Sequence, residues 1–137
     1  MTTDSARPRS TRVAGTPPPW MAGFYHVSLV VSDLERAKAF YCDVLGFWPV
    51  WRKPGSMRLD QEKLVLMLEE GEPPSALSAE FHFGFRVGHP AHVDLWAAYL
   101  RERGFAPERD PGVSGHGMRL LFRDPDGYPV EIFWNEP

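Results

Sequence analysis

The sequence predicts an α+β fold in which two repeated β-α-β-β-β modules form a cupped mixed sheet around a central site, with the helices on its outer face. The first observation is a repeat: FYHVSLVV (24–31) and EFHFGFRV (80–87) each carry a histidine at the third position, followed by alternating residues. The second is that each strand precedes a helical pattern ending in Gly-Phe. A unit of about 55–60 residues present twice is unlike a solenoid repeat and indicates two-fold symmetry within one domain.

The first 22 residues stand outside the repeat. They are rich in Pro, Ser and Thr, with three consecutive prolines at 17–19, and such a composition favours an extended, flexible segment. We therefore predict a flexible segment at 1–22 and a single domain at 23–137, with modules at about 23–70 and 80–134.

Composition narrows the classes of partner. The net charge of −3 gives no basic footprint for nucleic acid, and no apolar run approaches the roughly 20 residues that span a bilayer. The chain has one cysteine, Cys42, and no continuous apolar core of a secretory signal near its start. These features predict a cytoplasmic protein that binds neither nucleic acid nor membrane.

In the first module, Ser32 and Glu35 have the spacing of a capping box, which predicts a helix that begins there. Gly46 suits the left-handed position that ends a helix. Strand-type segments follow at 47–52, 56–62 and 63–70, with a hairpin turn at PGS.

In the second module, Pro90 stands where a helix can begin, and Gly104 where it ends. Strand-type segments follow at 105–110, 117–124 and 128–134, and DPDG supplies the last hairpin turn.

Alternation along the strands assigns side chains to faces. His26, His82 and Glu131 all fall on the face opposite the helices. Two imidazoles and one carboxylate form a ligand set that leaves open positions on a divalent metal, and a metal would also explain a carboxylate in an apolar strand. Spacing alone leaves open whether these are metal ligands or separate hydrogen-bonded residues.

The segments HVSLVVSDLERAKAFYCDVLGF, FHFGFRV and DPDGYPVEIF, in this order, resemble the vicinal oxygen chelate superfamily. That superfamily includes glyoxalase I, type I extradiol dioxygenases, fosfomycin-modifying thiol transferases and bleomycin-resistance binding proteins. The resemblance implies a metal held by His26, His82 and Glu131. It favours Fe²⁺ or Mn²⁺, with Zn²⁺ or Ni²⁺ as alternatives, and implies a homodimer with a small-molecule substrate.

Two departures from the superfamily pattern bear on activity. Counting back along the two halves places Leu66 opposite Glu131, where glyoxalase I carries a glutamate ligand, so glyoxalase I activity is disfavoured. Leu121 stands ten residues before Glu131, where the dioxygenases and fosfomycin enzymes commonly have a tyrosine.

Several other residues are candidates for the site. His116 is a candidate acid or base, with a solvent-facing role as the alternative. Arg58 and Arg119, in matching MRL segments, would hold an anionic oxygen or pair with acids such as Asp60 or Glu108. Trp48 and Trp51, three residues apart, cannot both face the cup, and either could instead be a core or dimer contact. The predicted substrate contacts are Ser28, Trp48, Arg58, Leu66, Arg119, Leu121 and Phe133.

The sequence thus favours a divalent-metal-dependent enzyme acting on a small oxygen-chelating substrate, in the manner of a ring-cleaving dioxygenase. The alternatives are a small-molecule or drug-sequestering binding protein and a fosfomycin-type thiol transferase.

Overall fold

The computed structural model describes residues 15–114 and 117–136. The first module contains β1 (His26–Val31), α1 (Leu34–Ala39), β2 (Trp48–Lys53), β3 (Ser56–Gln61) and β4 (Leu64–Glu70), and a π-helical turn at Phe40–Val44 continues α1. The second contains β5 (Phe83–Arg86), α2 (Pro90–Glu102), β6 (Arg109–Ser114), β7 (Gly117–Arg123) and β8 (Pro129–Asn135). The α+β class and the two β-α-β-β-β modules are confirmed.

The two sheets have the same topology. Their strand orders are β1-β4-β3-β2 and β5-β8-β7-β6, and in each the first strand runs parallel to its neighbour while the remaining pairs are antiparallel. The sequence repeat is therefore a structural repeat of two mixed sheets.

The helix ends follow the sequence except at the start of α1. There the N-cap is Asp33, whose carboxylate accepts a hydrogen bond from Arg36 N at 3.0 Å. The predicted capping box of Ser32 and Glu35 is wrong, because Ser32 Oγ donates instead to Asp126 Oδ1 at 2.7 Å.

The other predicted ends are confirmed. Pro90 is the first residue of α2, and His89 caps it by accepting from Ala91 N. Gly46 and Gly104 have φ of +82° and +85°, the left-handed conformation that ends a helix. The predicted strand at 105–110 begins later, at Arg109.

The helix-bearing sides of the two sheets share one hydrophobic core. Phe40 of the first module lies 4.8 Å from Phe105 and 6.2 Å from Phe122, both of the second, measured between ring centroids. Phe47 likewise contacts Phe85 at 5.8 Å. Because the helix sides face each other, the opposite side of each sheet is turned outward.

We call that outward side the open face of each sheet. Strand register assigns to it His26, Ser28, Val30, Trp48, Trp51, Ser56, Arg58, Asp60, Val65, Met67 and Glu69 in the first sheet, and Gly84, Arg86, Arg119, Leu121, Glu131 and Phe133 in the second.

The DPDG turn joins the two modules through Asp124, a buried carboxylate. Its Oδ2 accepts from Tyr41 OH at 2.5 Å, and its Oδ1 accepts from the backbone N–H of Asp126 at 3.0 Å and of Tyr128 at 2.9 Å. Tyr128 OH in turn donates to the carbonyl of Val30 in β1 at 2.7 Å. The start of β8 is thereby fastened to the first strand of the other module.

In the described residues, the helices are too short or too polar to cross a membrane.

Candidate functional site

The open face of the second sheet presents its side chains in rows across three strands. Gly84 and Leu121 flank Glu131, and in the next row Arg86 and Arg119 flank Phe133. The register thus places Glu131 and Phe133 on one face, as the alternation of the strand predicts, with Arg119 and Leu121 beside them.

Gly84 lets β5 approach Glu131 closely. A Cβ at this position would lie 3.1 Å from both the Cβ and the backbone oxygen of Glu131, and 3.3 Å from the ring of Phe133. These distances are shorter than ordinary van der Waals contact, so a side chain here would displace the glutamate. The counterpart in β1 is Ser28, which is exposed on the open face of the first sheet.

The Glu131 carboxylate has two charged or titratable neighbours. Its side chain is 13% exposed, and Oε2 lies 3.5 Å from His82 Nε2 and 3.5 Å from Arg119 Nη1. The carboxylate of Glu131, which lies in the otherwise apolar strand β8, thus faces a histidine and an arginine on the open face.

A backbone carbonyl fixes the orientation of the His82 ring. Its Nδ1 lies 2.9 Å from the carbonyl oxygen of Ala79, which can only accept, so Nδ1 is the donor of this hydrogen bond. In the neutral ring the Nε2 lone pair then faces Glu131 Oε2. Metal-binding histidines are usually held in this way by a hydrogen bond from their other ring nitrogen. The Nε2 of His82 and the Oε2 of Glu131 are both electron-pair donors, and their separation of 3.5 Å suits a cation between them.

His26 occupies the equivalent position in the first sheet, exposed at the start of β1 with its ring 5.7 Å from that of Tyr25. Within residues 15–114 and 117–136 of one chain, no group of three His, Cys, Asp or Glu side chains could hold a metal ion. The structure therefore brings His82 and Glu131 together, while His26 lies apart on the other open face.

The counterpart of Glu131 in the first sheet is Met67, and the predicted match to Leu66 is wrong. Met67 pairs with Ser28 just as Glu131 pairs with Gly84, whereas Leu66 pairs with Val27 on the helix side. Leu66 is fully buried in the core, so the predicted substrate contact at Leu66 is also wrong. A count along the sequence missed the register by one residue, which reverses the face of a side chain. Met67, like Leu66, carries no carboxylate.

The two predicted arginines are not equivalent. Arg58 pairs with Met67 and so matches Leu121, while Arg119 pairs with Phe133. Arg58 donates two hydrogen bonds to Asp60, at 2.8 and 2.9 Å, as one of the two interpretations predicted. Arg119 contacts Glu131 instead.

Both tryptophans of β2 face the open side. Trp48 pairs with Asp60 and Trp51 with Arg58, and a β-bulge between Pro49 and Trp51 permits this. The prediction that they cannot share a face is wrong, because an extra residue shifts the alternation. His116 lies outside the described residues.

A cavity of about 560 Å³ between the modules was not predicted. The β3–β4 hairpin meets β5 there, and the lining includes Gly84 and Arg86 of the rows described above. Contacts between segments this distant in sequence leave no local pattern from which to predict them.

Comparisons with known proteins agree with this architecture. The sequence profile of the Glyoxalase/Bleomycin resistance protein/Dioxygenase superfamily matches residues 23–132. The manganese-dependent 2,3-dihydroxybiphenyl 1,2-dioxygenase of Geobacillus genomosp. 3 is 30% identical over 121 residues, which cover 84% of this chain but 37% of that relative. The chain thus spans well under half of that enzyme's length.

Two solved structures with a similar fold belong to proteins with functions other than ring cleavage. The crystal structure of lactoylglutathione lyase from Agrobacterium tumefaciens has a TM-score of 0.70 and 25% identity, covering 86% of this chain and 96% of that one. TnmS3, an antibiotic binding protein from Streptomyces sp. CB03234, has a TM-score of 0.70 and 27% identity, covering 85% of this chain and 98% of that one.

Proposed function

The chain belongs to the Glyoxalase/Bleomycin resistance protein/Dioxygenase superfamily, and we propose that it is a divalent-metal-dependent enzyme of ring-cleaving dioxygenase type acting on a small oxygen-chelating substrate. Proteins of the superfamily include dioxygenases, lactoylglutathione lyases and antibiotic-binding proteins, so membership alone leaves these activities open.

The observation that carries the proposal is the facing pair of His82 Nε2 and Glu131 Oε2, with the other nitrogen of His82 held by Ala79 O. Imidazole and carboxylate are suitable ligands for Fe²⁺ and Mn²⁺, and Zn²⁺ or Ni²⁺ are alternatives. The manganese in the name of the 2,3-dihydroxybiphenyl dioxygenase supports the same choice.

The third ligand in this proposal is His26 of the partner subunit in a homodimer. His26 lies on an open face, and that face also exposes Val30 and Trp48. Exposed apolar side chains on a sheet favour an interface. A two-fold axis that sets the open face of the first sheet of each subunit against the open face of the second sheet of the other would form two identical sites.

Within such a site, the residues of this chain would have distinct tasks. Leu121 and Phe133 provide apolar surface beside Glu131, suited to an aromatic ring, and Gly84 lets the backbone of β5 lie close to Glu131 without displacing it. A bound divalent ion would supply Lewis acidity to the substrate oxygens.

Metal content is the first test. Wild-type protein loaded with Mn²⁺ and then desalted should retain the metal, and His82→Ala or Glu131→Ala should lower retention at least about tenfold, since each removes one ligand. Glu102→Ala is the matched control, because it removes an exposed carboxylate at the end of α2 and leaves both open faces unchanged. Elemental analysis of the four proteins gives the result, and wild type at the level of the two ligand variants would refute the metal site.

Measurement of oxygen uptake distinguishes a dioxygenase from a protein that only binds its ligand, as the antibiotic binding protein TnmS3 does. Protein loaded anaerobically with Fe²⁺ should consume oxygen when a catechol is added, and Glu131→Ala protein should not. Tight catechol binding without oxygen uptake, measured by calorimetry beside the oxygen electrode, would favour the binding protein.

A further inference from the structure

Arg119 contacts the oxygen of Glu131 that faces His82. Its Nη1 lies 3.5 Å from Glu131 Oε2, and its side chain is 55% exposed. Because this distance exceeds that of a good hydrogen bond, the contact is an ion pair in a solvated setting, which is weak. The guanidinium is therefore easily displaced.

Resting on the function proposed above, we propose that Arg119 is a displaceable counter-ion of Glu131: it competes with the divalent ion for Oε2 and, once displaced, binds an anionic group of the substrate above Phe133. The substrate class is then a catechol that also carries a carboxylate or a comparable anion.

Two features of the structure support the exchange. A divalent ion bound to Oε2 and a guanidinium 3.5 Å from the same oxygen would repel each other, and the ion carries the larger charge. Arg119 pairs with Phe133 across β7 and β8, so a guanidinium released from Glu131 stays beside the aromatic surface. Its planar fork of donors suits a carboxylate.

Metal and anion are consequently coupled. Metal binding frees Arg119 for the anion, and an anion that holds Arg119 leaves Glu131 to the metal. Each ligand should raise the affinity for the other by the same factor.

Arg86 provides a matched control. It flanks Phe133 on the other side, through β5, and its side chain is exposed. Within the described residues, Arg86 makes no ion pair with Glu131. Arg86→Gln thus removes the same charge from the same row without removing the contact.

The test is calorimetric titration of Mn²⁺ into wild-type, Arg119→Gln and Arg86→Gln protein. We expect Arg119→Gln to bind Mn²⁺ about three- to tenfold more tightly than wild type, and Arg86→Gln to remain within about twofold. Equal affinity of wild type and Arg119→Gln would overturn the competition. Failure of all three proteins to bind Mn²⁺ would instead overturn the proposed metal site.

The second arm compares catechol with 3,4-dihydroxybenzoate, which differ by one carboxylate, on the Mn²⁺-loaded proteins. Wild type should bind the carboxylated compound at least about fivefold more tightly, and Arg119→Gln should lose that preference. Preference retained in Arg119→Gln would overturn the role of Arg119 toward the substrate.

Discussion

A heterodimer of one His26→Ala chain and one Glu131→Ala chain is expected to bind about half as much metal as the wild-type dimer, although each variant homodimer binds almost none. If each site combines His26 of one subunit with His82 and Glu131 of the other, one site of the heterodimer carries both substitutions and the other carries neither. The intact site should bind metal as in wild type.

The expectation follows from how the modules pack. Their helix-bearing sides share a core through Phe40, Phe105 and Phe122, so the two open faces of one chain do not pack against each other. His82 and Glu131 meet on one of these faces, and His26 lies on the other. In the proposed site, the third ligand is therefore assigned to a second copy of the chain.

The measurement requires two affinity tags, so that sequential purification isolates the heterodimer before its metal content is determined. The control pairs a His82→Ala chain with a Glu131→Ala chain. These residues contact each other within one chain, so both sites of that heterodimer lack a ligand and should remain without metal. Background metal in the His26→Ala and Glu131→Ala heterodimer would contradict a site shared between subunits.

Local patterns were sufficient to predict which side chains of β8 lie on the open face. Alternation along a strand depends on the backbone alone, so the placement of Glu131 and Phe133 on one face could be inferred from the sequence. The repeat likewise predicted two equivalent modules, because both halves carry the same order of strand and helix patterns.

Register and packing could not be obtained in this way. Met67 rather than Leu66 matches Glu131 because strand pairing, not a count along the chain, sets the register. The bulge after Pro49 turned Trp51 to the open face, and Ser32 was drawn away from its helix by Asp126, 94 residues distant. These outcomes depend on contacts between distant segments.

Asp124 shows the same point with the largest expected effect on stability. In the sequence it belongs to a tight turn, but in the structure the residue is 5% exposed and its carboxylate accepts hydrogen bonds from Tyr41, Asp126 and Tyr128. Asp124→Ala would leave these donors without their acceptor. We expect the free energy of unfolding to fall by about 3 kcal/mol or more, measured by urea denaturation.

Asp124→Asn separates hydrogen bonding from charge. The amide oxygen can still accept from the backbone, and the amide nitrogen can donate to Tyr41, so this variant should lose less than the alanine variant. Loss of less than about 1 kcal/mol in Asp124→Ala would contradict the role of the carboxylate as the centre of this junction.

The charge itself should appear in the pH dependence. Burial raises the pKa of Asp124 above its usual value, although hydrogen bonds from Tyr41 and the backbone oppose the shift. The folded state then keeps a proton that the unfolded state releases, so the free energy of unfolding should decrease as pH rises from about 3.9 through the raised pKa. Asp124→Asn should lack this decrease. The Asp124 carboxylate also accepts from the backbone N–H of Tyr128, whose hydroxyl donates to Val30 of β1. Asp124 therefore helps to hold β8, the strand of Glu131, against the first module, even though its ionisation lowers the free energy of unfolding.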